Sequence, residues 1–158
     1  EMKITISSPA DRTKPGFLVR GDFGCPCYLK ADNAAARRSG NASRDPLKRN
    51  GDTPLGVYWG VLEGPWEPIR SYGPYQVIAL TPIGGDALIA HKAGRRGLAI
   101  HGGAPAADGR SFRPTHGCVR VRNHDMRLLL DLLKASGDRK HEVEIVEMAD
   151  ASGRAGNG

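Results

Sequence analysis

The residues best suited to chemistry are two histidines and a cysteine: His101, His116 and Cys118. Two glycines follow His101, and a third glycine separates His116 from Cys118. A free thiol with a pKa of roughly 8.5 is mostly protonated at neutral pH, so a nucleophilic cysteine needs a base or a positive field nearby. Two histidines can meet that need. This combination is typical of a thiol-dependent acyl-transfer enzyme.

The spacing of these residues indicates how they come together. His116 lies two residues before Cys118, so in an extended segment the two side chains share a face. His101 reaches the same point only if the intervening loop folds back. We expect the N–H groups of Gly117 and Cys118 to face a developing oxyanion, an interaction worth roughly 3–4 kcal/mol per donor.

Two other interpretations of these three residues stay open at this point. His101, His116 and Cys118 could bind zinc with water as the fourth ligand and form a metal hydrolase. The absence of an acidic general base within the cluster weighs against this interpretation. Alternatively all three are structural, and Cys118 is a small buried apolar residue.

Short strands are predicted to position the candidate residues. Glycine (21) and proline (11) are frequent and dispersed, which favours a mostly β fold with many turns. His101 is expected at the end of one strand. The predicted strands are 3–7, 16–21, 57–62, 75–80, 97–101 and 141–148.

One main helix is predicted after the cysteine. Its apolar residues recur at helical spacing and define one buried face: Met126, Leu129, Leu130 and Leu133. Asn123 is expected to be its N-cap and Gly137 its C-cap.

The length favours a single domain. Residues 1–148 are expected to form one catalytic domain, and 149–158 a disordered tail. The polar, basic segment 31–50 is predicted to be a long loop with one helical turn at 34–38, either solvated or a flap over a substrate cleft.

The charge of the chain suggests a polyanionic partner. A net charge of +6 suits both nucleic acid and the acidic bacterial wall. Only 6% of residues are aromatic and no basic helix is evident, so no nucleic-acid partner is expected. No run of 18 apolar residues is present, and no membrane span is expected.

Two further cysteines, Cys25 and Cys27, flank Pro26. We predict two buried core thiols. A strained short-range disulfide and half of a zinc site are the alternatives.

Three segments resemble one known family: LAIHGG, THGCVRV and, upstream, GDTPLGVYWG. They are similar to the L,D-transpeptidase catalytic domain of the YkuD-like family. The signature of that family is a histidine, a loop, then Ser/Thr-His-Gly-Cys, a hydrophobic residue and Asn or Arg. The resemblance covers about residues 50–135 and implies a β-sandwich-like fold.

The resemblance also implies roles for individual residues. Cys118 matches the nucleophile that forms a thioester acyl-enzyme, and His101 matches the general base. Gly102 matches the position whose carbonyl orients the imidazole. The oxyanion would be supported by His116 and by the amides of Gly117 and Cys118.

The same resemblance implies a substrate and its contacts. Thr115 and Arg120 match substrate-binding positions, and Arg120 is expected to hold a substrate carboxylate. The family acts on peptidoglycan peptide stems as L,D-transpeptidase or L,D-carboxypeptidase, or by exchange of D-amino acids, and no cofactor or metal is implied. A non-catalytic peptidoglycan-binding module is the alternative.

This substrate predicts action in the periplasm or cell wall. The N-terminal residues lack the apolar core of a signal peptide. We therefore expect export by a cleaved signal, or delivery by a secretion system as an antibacterial effector. An effector would have an immunity protein as a partner.

Overall fold

The computed structural model describes residues 2–149. The predicted tail therefore lies outside the described residues, apart from Ala149. The strands are β1 (Ile4–Ser8), β2 (Gly16–Arg20), β3 (Phe23–Cys27), β4 (Gly56–Glu63), β5 (Val77–Gly84), β6 (Ala99–His101), β7 (Val119–Arg120) and β8 (His141–Glu147). The helices are α1 (Asn33–Arg38), α2 (Ile69–Tyr72), α3 (Gly85–Lys92) and α4 (Asn123–Ser136).

All eight strands form one sheet in the order β3-β2-β1-β8-β4-β5-β6-β7. Most neighbours are antiparallel, whereas β1 pairs with β8 and β6 pairs with β7 in parallel. The sheet curls until its two ends meet. Tyr28, just beyond β3, exchanges backbone hydrogen bonds with Arg120 of β7 at 2.8 and 3.0 Å, and Ala31 bridges to Thr115. The result is barrel-like.

The core follows from the alternation of side chains along the strands. In β1 and β8, alternate residues are buried: Ile4, Ile6, Val143 and Ile145. The helix α4 adds its predicted face of Met126, Leu129, Leu130 and Leu133, all of them buried. Burying each large apolar side chain contributes roughly 1.5–3 kcal/mol. Within residues 2–149, no helix has the length and apolar character needed to cross a bilayer.

The mostly β fold with one main helix after Cys118 is confirmed, since α4 has 14 residues and is the longest helix described. The helical turn at 34–38 and the C-cap Gly137 are also confirmed. Cys25 and Cys27 are free and buried, as predicted. Burial raises the pKa of both thiols, that of Cys25 to about 12.

The predicted N-cap of α4 is wrong. Arg122 is the N-cap and makes no side-chain capping bond, while Asn123 is the first helical residue. The Oδ1 atom of Asn123 accepts instead from the Gly103 N–H at 2.8 Å. A tertiary contact to the segment after His101 therefore replaces the local cap.

Candidate active site

Two short parallel strands deliver the candidate nucleophile and base. In the pairing of β6 with β7, Ile100 lies opposite Val119 and His101 opposite Arg120. Ile100 and Val119 face the main core. Because side chains alternate along a strand, His101 and Cys118 lie on the face of the sheet opposite to that of Ile100 and Val119. The register therefore places both residues on one face of the sheet.

Tyr72 of α2 links the surroundings of His101 and Cys118. Cys118 clusters with the buried Val77 and Ala99, and Tyr72 packs against that cluster. The Tyr72 ring also meets the His101 ring edge-to-face, with centroids 4.9 Å apart. Sequence reasoning did not select Tyr72, because its place beside the site comes from tertiary packing.

His101 is held as a neutral imidazole. The residue is 2% exposed, and Nδ1 lies 2.7 Å from the carbonyl oxygen of Gly102. Burial lowers the pKa of His101 to about 4, although the hydrogen bond to Gly102 acts in the opposite direction. Because a carbonyl oxygen can only accept, Nδ1 carries the proton and Nε2 keeps its lone pair. This tautomer is the one that a general base needs.

Cys118 is a protonated thiol in the resting structure. Burial raises its pKa to about 11, opposed by a hydrogen bond with the Ala99 backbone and by the charges of Arg95 and Arg120. The Sγ atom donates to the Gly97 carbonyl at 3.5 Å. Among the described residues no hydrogen bond joins Cys118 to His101.

Two buried threonine hydroxyls hold the loop that carries Cys118. Thr115 Oγ1 accepts from the Gly117 N–H at 2.9 Å and donates to the Cys118 carbonyl at 2.9 Å. Thr53 Oγ1 reaches across from the segment before β4 and donates to the Gly117 carbonyl at 2.8 Å. This contact gives a physical reason for the threonine of GDTPLG, a motif that the sequence singled out without assigning a role to the hydroxyl.

Arg120 holds three backbone carbonyls around the site. Its Nε donates to Arg113 at 2.7 Å, and its Nη1 donates to Ser71 at 2.9 Å and to Gly102 at 2.6 Å. The side chain is buried, and burial lowers its pKa to about 10. Gly103 has φ near +128°, and a Cβ there would collide with Nη1 of Arg120. The second glycine after His101 is therefore needed for this close approach.

A cleft of about 310 Å³ opens beside His101. Its wall contains four of the residues selected from sequence: His101, Thr115, His116 and Arg120. Tyr72, Arg113 and Asp32 also line it. His116 is exposed there, whereas Cys118 does not contribute to the lining. The cleft wall therefore includes two cationic side chains, Arg113 and Arg120.

The zinc interpretation gains no support from the geometry. Within residues 2–149, no group of three or more His, Cys, Asp or Glu side chains is arranged to hold a metal ion. Nδ1 of His101 is engaged with Gly102, and the Cys118 thiol points to Gly97.

Comparison with known proteins agrees with this geometry. A family-wide sequence profile of the L,D-transpeptidase catalytic domain, YkuD, matches residues 40–145. No curated protein matches the chain at a significant level.

Solved structures give a likeness in fold. The helical cell shape determining protein Pgp2 of Campylobacter jejuni is 19% identical with a TM-score of 0.51, covering 95% of this chain and 49% of that one. A single-residue mutant of Pgp2 is 20% identical with a TM-score of 0.52 and the same coverage. The chain thus spans about half the length of the solved structures it matches.

Proposed function

Because the chain belongs to the YkuD family of L,D-transpeptidase catalytic domains, we propose that it is a cysteine acyl-transfer enzyme acting on peptidoglycan stem peptides. The observation that carries the proposal is the geometry of β6 and β7. These strands place His101 and Cys118 on one face, and the imidazole is fixed through Nδ1 so that Nε2 is the free base.

In the proposed mechanism the reaction starts from a neutral thiol and a neutral imidazole. Burial favours the uncharged form of both groups, as their pKa values of about 11 and about 4 indicate. When a stem enters the cleft, the Cys118 Sγ–H turns from the Gly97 carbonyl to Nε2 of His101. Catalytic hydrogen bonds are often long or absent without substrate.

Acylation follows from this contact. Nε2 of His101 takes the thiol proton while Sγ attacks the carbonyl carbon that joins the third stem residue to the terminal D-alanine. The C–N bond then breaks, His101 returns the proton to the leaving amine, and a thioester remains on Cys118. An acceptor amine gives a crosslink and water gives a shortened stem. In either case His101 takes the acceptor's proton and returns it to the departing thiolate.

We propose that the Cys118 N–H and the His116 side chain stabilise the oxyanion. The Gly117 N–H already donates a hydrogen bond to Thr115 Oγ1, so we assign it to holding the loop and not to the oxyanion. The exposed His116 lines the cleft, where it can approach the reacting carbonyl.

For substrate carboxylates we propose Arg120 together with Arg113. Arg120 uses Nε and Nη1 for backbone carbonyls, which leaves Nη2 for a ligand. Arg113 is partly exposed in the same cleft. Thr115 lines this cleft as well, and we assign it contact with the peptide backbone of the stem.

Mass spectrometry of muropeptide tetrapeptides incubated with the protein tests the proposal. Wild type should yield tripeptides, crosslinked dimers or exchanged D-amino acids, and Cys118→Ala none of these. Cys25→Ala removes a buried thiol that belongs to the main core and does not line the cleft, and it should keep the activity. A wild-type protein that binds stems as tightly as Cys118→Ala and converts none would instead be the non-catalytic binding module.

This activity requires export, because peptidoglycan lies outside the cytoplasmic membrane. We propose action in the periplasm or cell wall, reached by a cleaved signal or through a secretion system. Tripeptides as the main product would favour a wall-degrading effector with an immunity protein, whereas crosslinked dimers would favour wall synthesis. Expression with and without a periplasmic signal, scored by lysis, tests the effector role.

A further inference from the structure

Arg95, in the loop between α3 and β6, joins two segments that meet at the nucleophile. It is 7% exposed. Nη1 donates to the Pro46 carbonyl at 2.6 Å and to the Asp52 carbonyl at 2.9 Å. Nη2 donates to the Gly51 carbonyl at 2.9 Å and to the His116 carbonyl at 3.3 Å. One guanidinium thus fixes the basic segment before β4 against the loop that carries Cys118.

The same guanidinium lies directly against Gly117. A Cβ at this position would collide with Nη2 of Arg95, and Gly117 has φ near +119°. Gly117 is therefore required by the approach of Arg95 as well as by its backbone conformation. The charge is thus held next to the residue that precedes the nucleophile.

Within the described part of the chain, the charge of Arg95 is not neutralised by an ion pair. Among residues 2–149, no Asp or Glu lies within ion-pair distance of Arg95. The nearby Asp52 carboxylate is engaged by Arg44 at 3.1 Å and by the Ala31 N–H at 2.8 Å. Backbone carbonyls make the hydrogen bonds to the guanidinium, and the carboxylates of Asp52 and Asp45 act on it only through space. Its positive charge also acts on the thiol of Cys118.

We propose that Arg95 is a positioning residue of the catalytic loop that also stabilises the thiolate of Cys118. The inference rests on the proposed function for its role in turnover, but its effect on the thiol is independent of any substrate. Arg95 lies outside the signature residues, so sequence reasoning had no reason to select it.

The other groups that face the thiol come from several elements. Arg120 of β7 is the second cation, and its charge also favours the thiolate. Tyr58 of β4 interacts electrostatically with both Cys118 and Arg95. His101 and Tyr72 lie on the same face of the sheet. Tyr58 and His101 are uncharged near neutral pH because burial raises the pKa of the first and lowers that of the second.

The test is the rate of Cys118 alkylation by iodoacetamide at pH 8.5, followed by peptide mass spectrometry without any stem peptide. Arg95→Met keeps an unbranched side chain and removes the guanidinium with its charge. Arg96→Met is the matched control, since Arg96 is exposed. We expect alkylation about tenfold slower in Arg95→Met and unchanged in Arg96→Met, because losing one nearby cation raises a thiol pKa by about one unit.

The direction of the change separates the proposal from a purely structural role. If Arg95 only held the loop, Arg95→Met would loosen it, expose the thiol and make alkylation faster. A faster or unchanged rate would overturn the proposal. Arg95→Lys keeps the charge but loses the two guanidinium nitrogens that donate to the carbonyls. Its Cys118 should be alkylated at a rate within about threefold of wild type, whereas its turnover of stem peptide should fall at least tenfold.

Arg95→Lys also serves if Arg95→Met does not fold, as judged by circular dichroism. In that event, alkylation of Arg95→Lys more than tenfold slower than wild type would refute the proposal. If wild type converts no stem peptide while the alkylation results hold, the proposed function fails and the inference about the thiol stands.

Discussion

His101 and Arg120 donate hydrogen bonds to the same acceptor, the carbonyl oxygen of Gly102, at 2.7 and 2.6 Å. The base is therefore oriented by a peptide group that is itself fixed by a buried guanidinium. Arg120 also holds Arg113 and Ser71, which places the edges of the cleft in the same network.

This network predicts the effect of Arg120→Lys. The shorter reach of an ammonium group leaves buried carbonyls unsatisfied, at about 1–3 kcal/mol each. Arg120 also belongs to the proposed carboxylate site, so we expect kcat to fall at least tenfold and KM to rise. Urea unfolding should show a loss of about 2 kcal/mol or more. Arg139→Lys, at an exposed arginine, is the control. A rise in KM with kcat intact would contradict the role of Arg120 in orienting the base, and a fall in kcat with KM unchanged would contradict its binding of a substrate carboxylate.

The buried His101 predicts activity at acid pH. Burial lowers its pKa to about 4, so the imidazole stays a competent base well below neutrality. We expect kcat/KM to be constant down to about pH 5 and to fall below it, as measured by a pH–rate profile. An acid limb near pH 6.5 would show that His101 is solvated during turnover.

The same pKa predicts how stability depends on pH. The folded state disfavours the imidazolium, so between pH 6.5 and 4 the unfolded chain binds more protons than the folded one. This contribution is complete above pH 6.5 and is lost as the pH falls towards 4. Replacing His101 by Gln should flatten the dependence in this window, which urea unfolding at a series of pH values can measure.

Tyr72 predicts a shift of the acid limb. Its ring covers the edge of the imidazole, and Tyr72→Ala would admit water there. With less desolvation the pKa of His101 rises towards its ordinary value, and the acid limb moves to higher pH. Tyr72→Phe keeps the ring and should keep the wild-type profile. Coincident profiles for all three proteins would argue against this role.

Thr53 predicts an effect at long range along the sequence. Thr53→Val keeps the shape but removes the hydroxyl donated to Gly117, at a cost of about 1–3 kcal/mol. We expect lower thermal stability and reduced kcat, because the loop carrying Cys118 loses a support. Thr81→Val, at an exposed position of β5, should change stability by less than about 0.5 kcal/mol.

Local patterns in the sequence predicted much of the fold. Alternation in β8 and helical spacing in α4 are signals carried by neighbouring residues, and both elements formed. The strands β3 and β7 were missed, since FGCPC contains glycine and proline and β7 has two residues. The short helices α2 and α3 were also missed, because four to eight residues carry too little periodicity.

The candidate site, like the fold, could be predicted from the sequence only in part. The types of His101 and Cys118 and the glycines beside them could be read directly from the sequence. The contacts of Arg95, Tyr72 and Thr53 could not, because each joins segments that are distant along the chain. No spacing rule connects Thr53 with Gly117, which only the curled sheet brings within 2.8 Å of each other.

Because the sheet closes on itself, the segment that matches the family profile is shorter than the segment that forms the complete sheet. The family profile begins at residue 40, yet the outer neighbour of the nucleophile strand β7 is the segment from Tyr28 to Asp32. A fragment made of residues 40–145 alone would also lack β1, which pairs with β8 in the middle of the sheet. Chimeras and minimal designs built on this scaffold must therefore carry the first 32 residues along with the signature.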